Sequence, residues 1–189
     1  MYARVSTRQI QSGQMDEAIR ILRDQTVPTI REQRGFKGGP VLVDRNTGKL
    51  ITISVWETEA DLRANDPPGY VDAVGAGPVT REVYEVIVEP RAPGETQVTC
   101  ARVAYRQLQP DKMDEAIRRY RETLVPALRA QPGATGQGYV LADRSADKIF
   151  SVRMFALEAD RTATPPGGDV DDLAVGPTVW ELYDVAFQA

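Results

Sequence analysis

The chain repeats itself, and that constrains its fold more than any other feature. ARVSTRQ at residues 3–9 returns as ARVAYRQ at 101–107, and MDEAIR at 15–20 returns unchanged at 113–118. Val27-Pro28 returns as Val125-Pro126, Gly35 as Gly133, and Asp44-Arg45 as Asp143-Arg144 after the spacing grows by one residue. Glu59-Ala60-Asp61 matches Glu158-Ala159-Asp160, Gly77-Pro78 matches Gly176-Pro177, and EVYEV at 82–86 matches ELYDV at 181–185. Self-similarity at a fixed period means one supersecondary unit used again. Two copies are too few for a solenoid, which needs at least about three to bury its faces. Each copy therefore closes its core against the other or stands alone. The prolines and glycine of EPRAPGETQ, residues 89–97, read as a linker. The expected division is a first repeat over 1–90, a linker over 91–97 and a second repeat over 98–189.

Within one copy the hydrophobic period changes along the chain. Ala3, Val5 and Thr7 alternate with Arg4, Ser6 and Arg8, which predicts a strand. After Gly13, the residues Met15, Ala18, Ile19 and Leu22 have helical spacing, matched by Met113, Ala116, Ile117 and Tyr120 with Asp111 as the expected N-cap. Pro28 and Pro126 fall inside these helical patterns, so a kink or break is expected just before each. Val41–Val43 predicts a second strand, Asn46-Thr47-Gly48 a hairpin turn, and Leu50–Trp56 a third strand. A short helix over 59–64, a segment rich in proline and glycine, and a fourth strand from Val79 to about Val88 complete the copy. The order β-α-β-β-α-β is that of the ferredoxin-like unit, a four-stranded antiparallel sheet with helices on one face. Ile51, Ile53 and Val55, like Phe150, Val152 and Met154, form an aliphatic sheet face that needs a cover. The expected fold is α+β: two tandem ferredoxin-like units, their sheets packed face to face as an intramolecular pseudo-dimeric barrel.

Composition removes several functions. With a net charge of -4 and no run of Lys or Arg, nucleic acid is not an expected partner. No stretch approaches the roughly 18 unbroken apolar residues of a membrane helix, and the N-terminus shows no signal core, so a cytoplasmic location is the default expectation. The single cysteine, Cys100, permits no internal disulfide and reads as a packed side chain. The chain has no histidine, which removes His general bases, His-activated nucleophiles, His-bearing zinc sites and proximal-His haem ligation together.

The opening ARV-x-x-R-Q, the MDEAI helix, the D-R-x-x-G-K turn, VWETEAD and G-P-x-x-x-EVYEV resemble the antibiotic biosynthesis monooxygenase (ABM) family. The resemblance runs through nearly all of each copy. It implies a dimeric α+β barrel whose two halves here lie on one chain. It also implies cofactor-free oxidation of an aromatic, quinol-like substrate, with no cofactor or metal. Haem-degrading members are similar in carrying a tryptophan at the end of strand three, which Trp56 matches. Their strand-one asparagine is Ser6 here, and their haem-ligating histidine has no counterpart.

In that family the strand-three tryptophan faces the pocket between sheet and helices. By alternation the same face carries Arg4, Ser6, Arg8, Thr52, Ser54, Glu82 and Tyr84. In the second copy it carries Arg102, Ala104, Arg106, Ser151, Arg153, Phe155, Glu181 and Tyr183. The candidate pocket-lining set is Arg4, Ser6, Trp56, Glu82, Tyr84, Arg102, Arg153, Phe155, Glu181 and Tyr183. The pairs Arg4/Glu82 and Arg102/Glu181 read either as partly buried ion pairs or as arginines held by a carboxylate to bind an anion. Tyr84 and Tyr183 read either as packed rings or as donors to a substrate oxygen. The GxG strings at Gly75–Gly77 and Gly136–Gly138 read as turns. Two functions stay open: a cofactor-independent monooxygenase on a small aromatic, and a non-catalytic small-molecule-binding or stress-associated barrel. Association of whole chains into a homodimer is left open. Trp56 against Phe155, Ser6 against Ala104 and Ser54 against Arg153 suggest pockets that have diverged.

Overall fold

The alternation at residues 3–9 forms strand β1 (Tyr2–Gln9), and the helical pattern after it forms helix α1 (Met15–Ile21). The structure is a computed structural model that describes residues 1–65, 69–90, 97–131, 134–163 and 170–189. Of the expected linker only Gln97 falls among them, and Gly133 lies outside. The first copy continues with α2 (Val27–Arg31), β2 (Phe36–Gly38), β3 (Pro40–Asp44), β4 (Lys49–Trp56), α3 (Glu59–Ala64) and β5 (Thr80–Val88). The second has β6 (Cys100–Gln107), α4 (Met113–Arg119), α5 (Val125–Arg129), β7 (Gly138–Asp143), β8 (Lys148–Phe155), α6 (Glu158–Ala163) and β9 (Val179–Gln188). The fold is α+β, with the ferredoxin-like βαββαβ order used twice in tandem.

The chain packs as two units, one of Met1–Tyr84 with Asp184–Ala189, the other of Glu85–Tyr183. Neither unit is one sequence repeat, because the last strand of each repeat ends in the other unit. In the first unit β4 pairs antiparallel with β1 and β3, β2 adds to β4, and β3 also pairs with the end of β9, Val43 opposite Asp184. In the second unit β8 pairs with β6 and β7, and β7 also pairs with the end of β5, Val86 opposite Leu141. The registers fix the faces. Arg4 stands opposite Ser54 and Ser6 opposite Thr52; in the second unit Arg102 stands opposite Arg153 and Ala104 opposite Ser151.

Helices cover one side of each sheet. Ala18, Ile19 and Leu22 bury against Val43 and Leu50 in the first unit, and Ala116, Ile117 and Leu124 bury with Ile149 in the second. The break expected before each proline takes a specific form. A π-helical turn, Leu22–Thr26 or Tyr120–Leu124, joins the two helical segments, with the Val27 N–H donating to the Leu22 carbonyl and the Val125 N–H to that of Tyr120. Such a bulge takes up the register change around a proline that has no N–H to give.

One expected element is corrected. Asp111 is not the N-cap of α4; Lys112 holds that position, and Asp111 precedes it at φ 62°. Its counterpart Gly13 has φ 76°, so the turn before the helix demands a left-handed residue in both copies. No helix among the described residues is long and apolar enough to cross a membrane.

Candidate functional site

Two of the ten residues singled out from sequence, Arg102 and Arg153, line a cavity of about 100 Å3 in the second unit. Opposite each other on β6 and β8, they form its floor with Ser151. The helical segment from Tyr120 to Arg129 forms the roof, and Tyr139 and Trp180 stand at the sides. A water needs roughly 10–15 Å3 on this measure, so the space exceeds a packing defect. It suits a small ring.

The remaining eight lie elsewhere. Arg4 is 6% exposed and closes the end of α3, donating to the carbonyls of Leu62 at 2.8 Å and Asn65 at 2.7 Å. A cation there satisfies carbonyls that the helix leaves open. Ser6 and Tyr84 are buried. Trp56 is 1% exposed, donates from Nε1 to Ser54 Oγ at 3.1 Å, and meets the Phe36 ring edge-on at 5.3 Å. In the second unit Phe155 is buried beneath the Arg153 guanidinium, 4.9 Å from its ring centre. The Tyr183 hydroxyl donates to Glu181 at 2.6 Å. Glu82 is half-buried on β5. None of these eight lines the cavity.

Substitutions between the copies explain why the second unit is open here. The segment that supplies Phe36, packed on Trp56, supplies Ala134-Thr135-Gly136 in the second copy, and Ala134 and Gly136 line the space. Gly136 has φ 68°, a conformation that favours glycine. Gly138 stands opposite Arg153, and a side chain on it would run into the Val152 carbonyl. The position of Leu22 holds Tyr120, that of Ser54 holds Arg153, and that of Arg81 holds Trp180.

The lining contains four arginines, Arg102, Arg106, Arg129 and Arg153, and no acidic residue. Arg106 is the most deeply buried, donating to Asp171 at 2.9 Å, Tyr120 Oη at 3.0 Å and Ser151 Oγ at 3.4 Å. Arg102 donates to the Arg161 carbonyl. Arg153 donates to Gln131 Oε1 at 2.9 Å and the Leu128 carbonyl at 3.4 Å, and no carboxylate among the described residues pairs with it. The Trp180 ring lies 4.9 Å from the Arg106 guanidinium and 6.0 Å from that of Arg102. Burial, then the neighbouring Arg161 charge, pulls Arg102 below its usual pKa; burial, then Arg102, does the same to Arg153. Burial pushes Tyr139 up to about 12, with Glu89 adding, and pushes Tyr120 up against the opposing charge of Arg106. Both phenols stay protonated at neutral pH and act as donors.

Sequence reasoning missed Trp180, Tyr120 and Tyr139. Alternation from Glu181 and Tyr183 puts Trp180 on the other face, yet its ring closes over the arginines. Tyr120 reads as one more apolar residue of the helix. The signal available was the exchange Leu22 to Tyr120 between matched copies.

The fold and this lining define a tandem ferredoxin-like protein with an electropositive, aromatic-walled cleft. Comparisons place it. Residues 1–65 match the model of the family "Antibiotic biosynthesis monooxygenase". Uncharacterized protein Rv2557 of Mycobacterium tuberculosis is 27% identical over 171 residues, covering 85% of this chain and 75% of the relative. A candidate monooxygenase of Fusobacterium nucleatum has the same fold, with TM-score 0.77 at 11% identity, over 99% of this chain and 93% of that one. An anthrone oxidase-like protein follows at TM-score 0.64 and 12% identity, over 100% and 92%. LmHde, a heme-degrading enzyme of Listeria monocytogenes, gives TM-score 0.55 at 10% identity, over 98% and 99%.

Proposed function

We propose that the cleft of the second unit binds a small electron-rich aromatic as its oxyanion and that dioxygen oxidises it there without a cofactor. The observation that carries this reading is the lining of four arginines and two protonated phenols around a ring-sized space, with no acidic group. Such a site favours the ionised form of an acidic substrate, because fixed cations in a partly dry cleft lower the pKa of a bound phenol or enol. The substrate then supplies the electrons. For an aryl-ketone methylene, loss of one proton gives the enolate, and its electron pair forms a C–O bond to dioxygen, giving a hydroperoxide once a proton returns. Cleavage of the O–O bond with loss of the second C–H proton gives the ketone and water. The net change is CH2 + O2 → C=O + H2O. Arg102 and Arg153 face the oxyanion, and Tyr120 and Tyr139 donate hydrogen bonds. An iron porphyrin does not fit: the chain has no histidine to hold the iron, and a space of about 100 Å3 takes only part of a macrocycle.

The second reading is a non-catalytic binding protein using the same cleft. It is favoured by the absence of a carboxylate or other general base among the lining residues. Oxygen uptake measured with a single-ring aryl ketone and with hydroquinone separates the two. The enzyme reading expects one O2 consumed per aryl ketone and a loss of at least about tenfold in Arg102→Gln, the scale of one oxyanion contact. Binding without uptake supports the second reading, and absence of both sinks each.

A further inference from the structure

We infer that a groove in the first unit binds a small zwitterion of the α-amino acid class, with the ligand's ammonium against Asp184 and its carboxylate against Arg23. The groove, of about 430 Å3, is lined from α1, from the π turn that follows it, and from β3 and the end of β9. The second copy shows what the first lacks. There Arg144, the counterpart of Arg45, bridges two carboxylates, donating to Asp114 at 2.7 Å and to Glu85 at 2.9 Å. Arg121, the counterpart of Arg23, donates to the Ile87 carbonyl at 3.2 Å. Both cations are thus tied to strand β5. In the first copy Asp184 stands where Glu85 would be and is one methylene shorter. Arg45 pairs with Asp16 at 2.7 Å and not with Asp184. Arg23 lies over the Phe187 ring, 5.4 Å from its centre, instead of bonding the strand. Arg20, also in the lining, is matched by Glu17 at 2.8 Å. Among the described residues no ion pair engages Arg23 or Asp184.

One groove therefore presents an open cation and an open anion that do not pair with each other. That charge pattern selects the ligand. A simple anion drawn to Arg23 meets Asp184, and a simple cation drawn to Asp184 meets Arg23, so each is penalised by a like charge. A molecule with an ammonium and a carboxylate satisfies both. The guanidinium fork matches the two carboxylate oxygens, and Asp184 accepts from the ammonium. Ile19 and Val43 give the groove apolar wall, which suits an aliphatic side chain. The site lies wholly in the first unit, so it stands or falls apart from the oxidation proposed for the second.

The test is an NMR titration of the full chain with L-leucine, with N-acetyl-L-leucine, which lacks the ammonium, and with L-leucinamide, which lacks the carboxylate. The amide signals of Val43 and Asp184 report on the groove. Wild-type protein is expected to bind leucine about two- to fivefold more tightly than either analogue, the scale of one water-exposed ion pair. Asp184→Asn should lose the preference over N-acetyl-leucine and keep that over leucinamide, and Arg23→Gln should do the reverse. Asp184→Glu installs the second copy's acid, which Arg45 can then bridge, and should weaken leucine binding as Asp184→Asn does. Leucine that leaves the groove signals unmoved overturns the inference, and so do equal affinities for the three compounds. Inorganic phosphate that binds the groove more tightly than leucine also overturns it, because the site would then be one for simple anions. Groove signals that move with protein concentration, and no longer with leucine, overturn it in favour of a contact between chains.

Discussion

The two copies place an arginine at one position with different surroundings, and replacing each tests the energetics directly. Arg106 is 4% exposed and donates at 3.0 Å to the buried hydroxyl of Tyr120. A hydrogen bond to a charged group is worth about 1.5–3 kcal/mol. Its pair with Asp171 is worth less, about 0.5–1 kcal/mol, because the Asp171 side chain is 43% exposed and water screens it. The Trp180 ring adds a cation–π term of about 0.5–1 kcal/mol. Against these stands the cost of burying the guanidinium, which glutamine relieves in part. Arg106→Gln is expected to cost about 3 kcal/mol, or about 6–12 °C in Tm for a chain of this size. Arg8 pairs with Asp72, whose side chain is 57% exposed, and Leu22 stands where Tyr120 would be. Arg8→Gln should therefore cost about 1 kcal/mol, roughly 2–4 °C. Scanning calorimetry of the two variants reads both. Equal shifts would refute the argument that the second copy's network, rather than the repeated arginine itself, carries the energy.

Three further outcomes follow from the same geometry. Tyr139 has its pKa raised to about 12 from 10.0 by burial, so the stability it contributes is fully present below pH 10 and is lost as pH rises toward 12. Urea melts from pH 8 to 11.5 should show wild type losing up to about 2 kcal/mol more than Tyr139→Phe, at about 1.4 kcal/mol per tenfold change in proton affinity. Gly138→Ala drives a methyl into the Val152 carbonyl and should destabilise by about 1–3 kcal/mol in urea denaturation; a neutral result would mean that β7 moves freely. Trp56→Phe removes the bond to Ser54 and part of a buried ring, costing about 1–3 kcal/mol, while oxygen uptake stays at the wild-type rate.

Local rules made most of the fold legible. Period-2 alternation at 3–9 and 50–56 gave the strands and the shared face of Arg4, Ser6, Thr52 and Ser54, since register preserves side-chain parity. Each proline announced a break, but not its form, because a π turn leaves the apolar spacing almost unchanged. Asp111 looked like a cap because aspartate favours both N-caps and left-handed turns; its match to Gly13 pointed to the turn. The site was half legible. Arg102 and Arg153 follow from the face, but whether that face meets a cavity depends on the volume opposite. Phe36 packs on Trp56, while Ala134 leaves room. A strand pattern carries no information on that volume.

The central claim is that the working cleft lies in the second copy, over Trp180, and not beside Trp56. The chain has 2 tryptophans, one in each copy, so its NMR spectrum holds two indole N–H signals that single Trp→Phe variants assign. Titration with hydroquinone is predicted to move the Trp180 signal and leave that of Trp56 in place. Movement of the Trp56 signal alone, or of neither, would contradict the account.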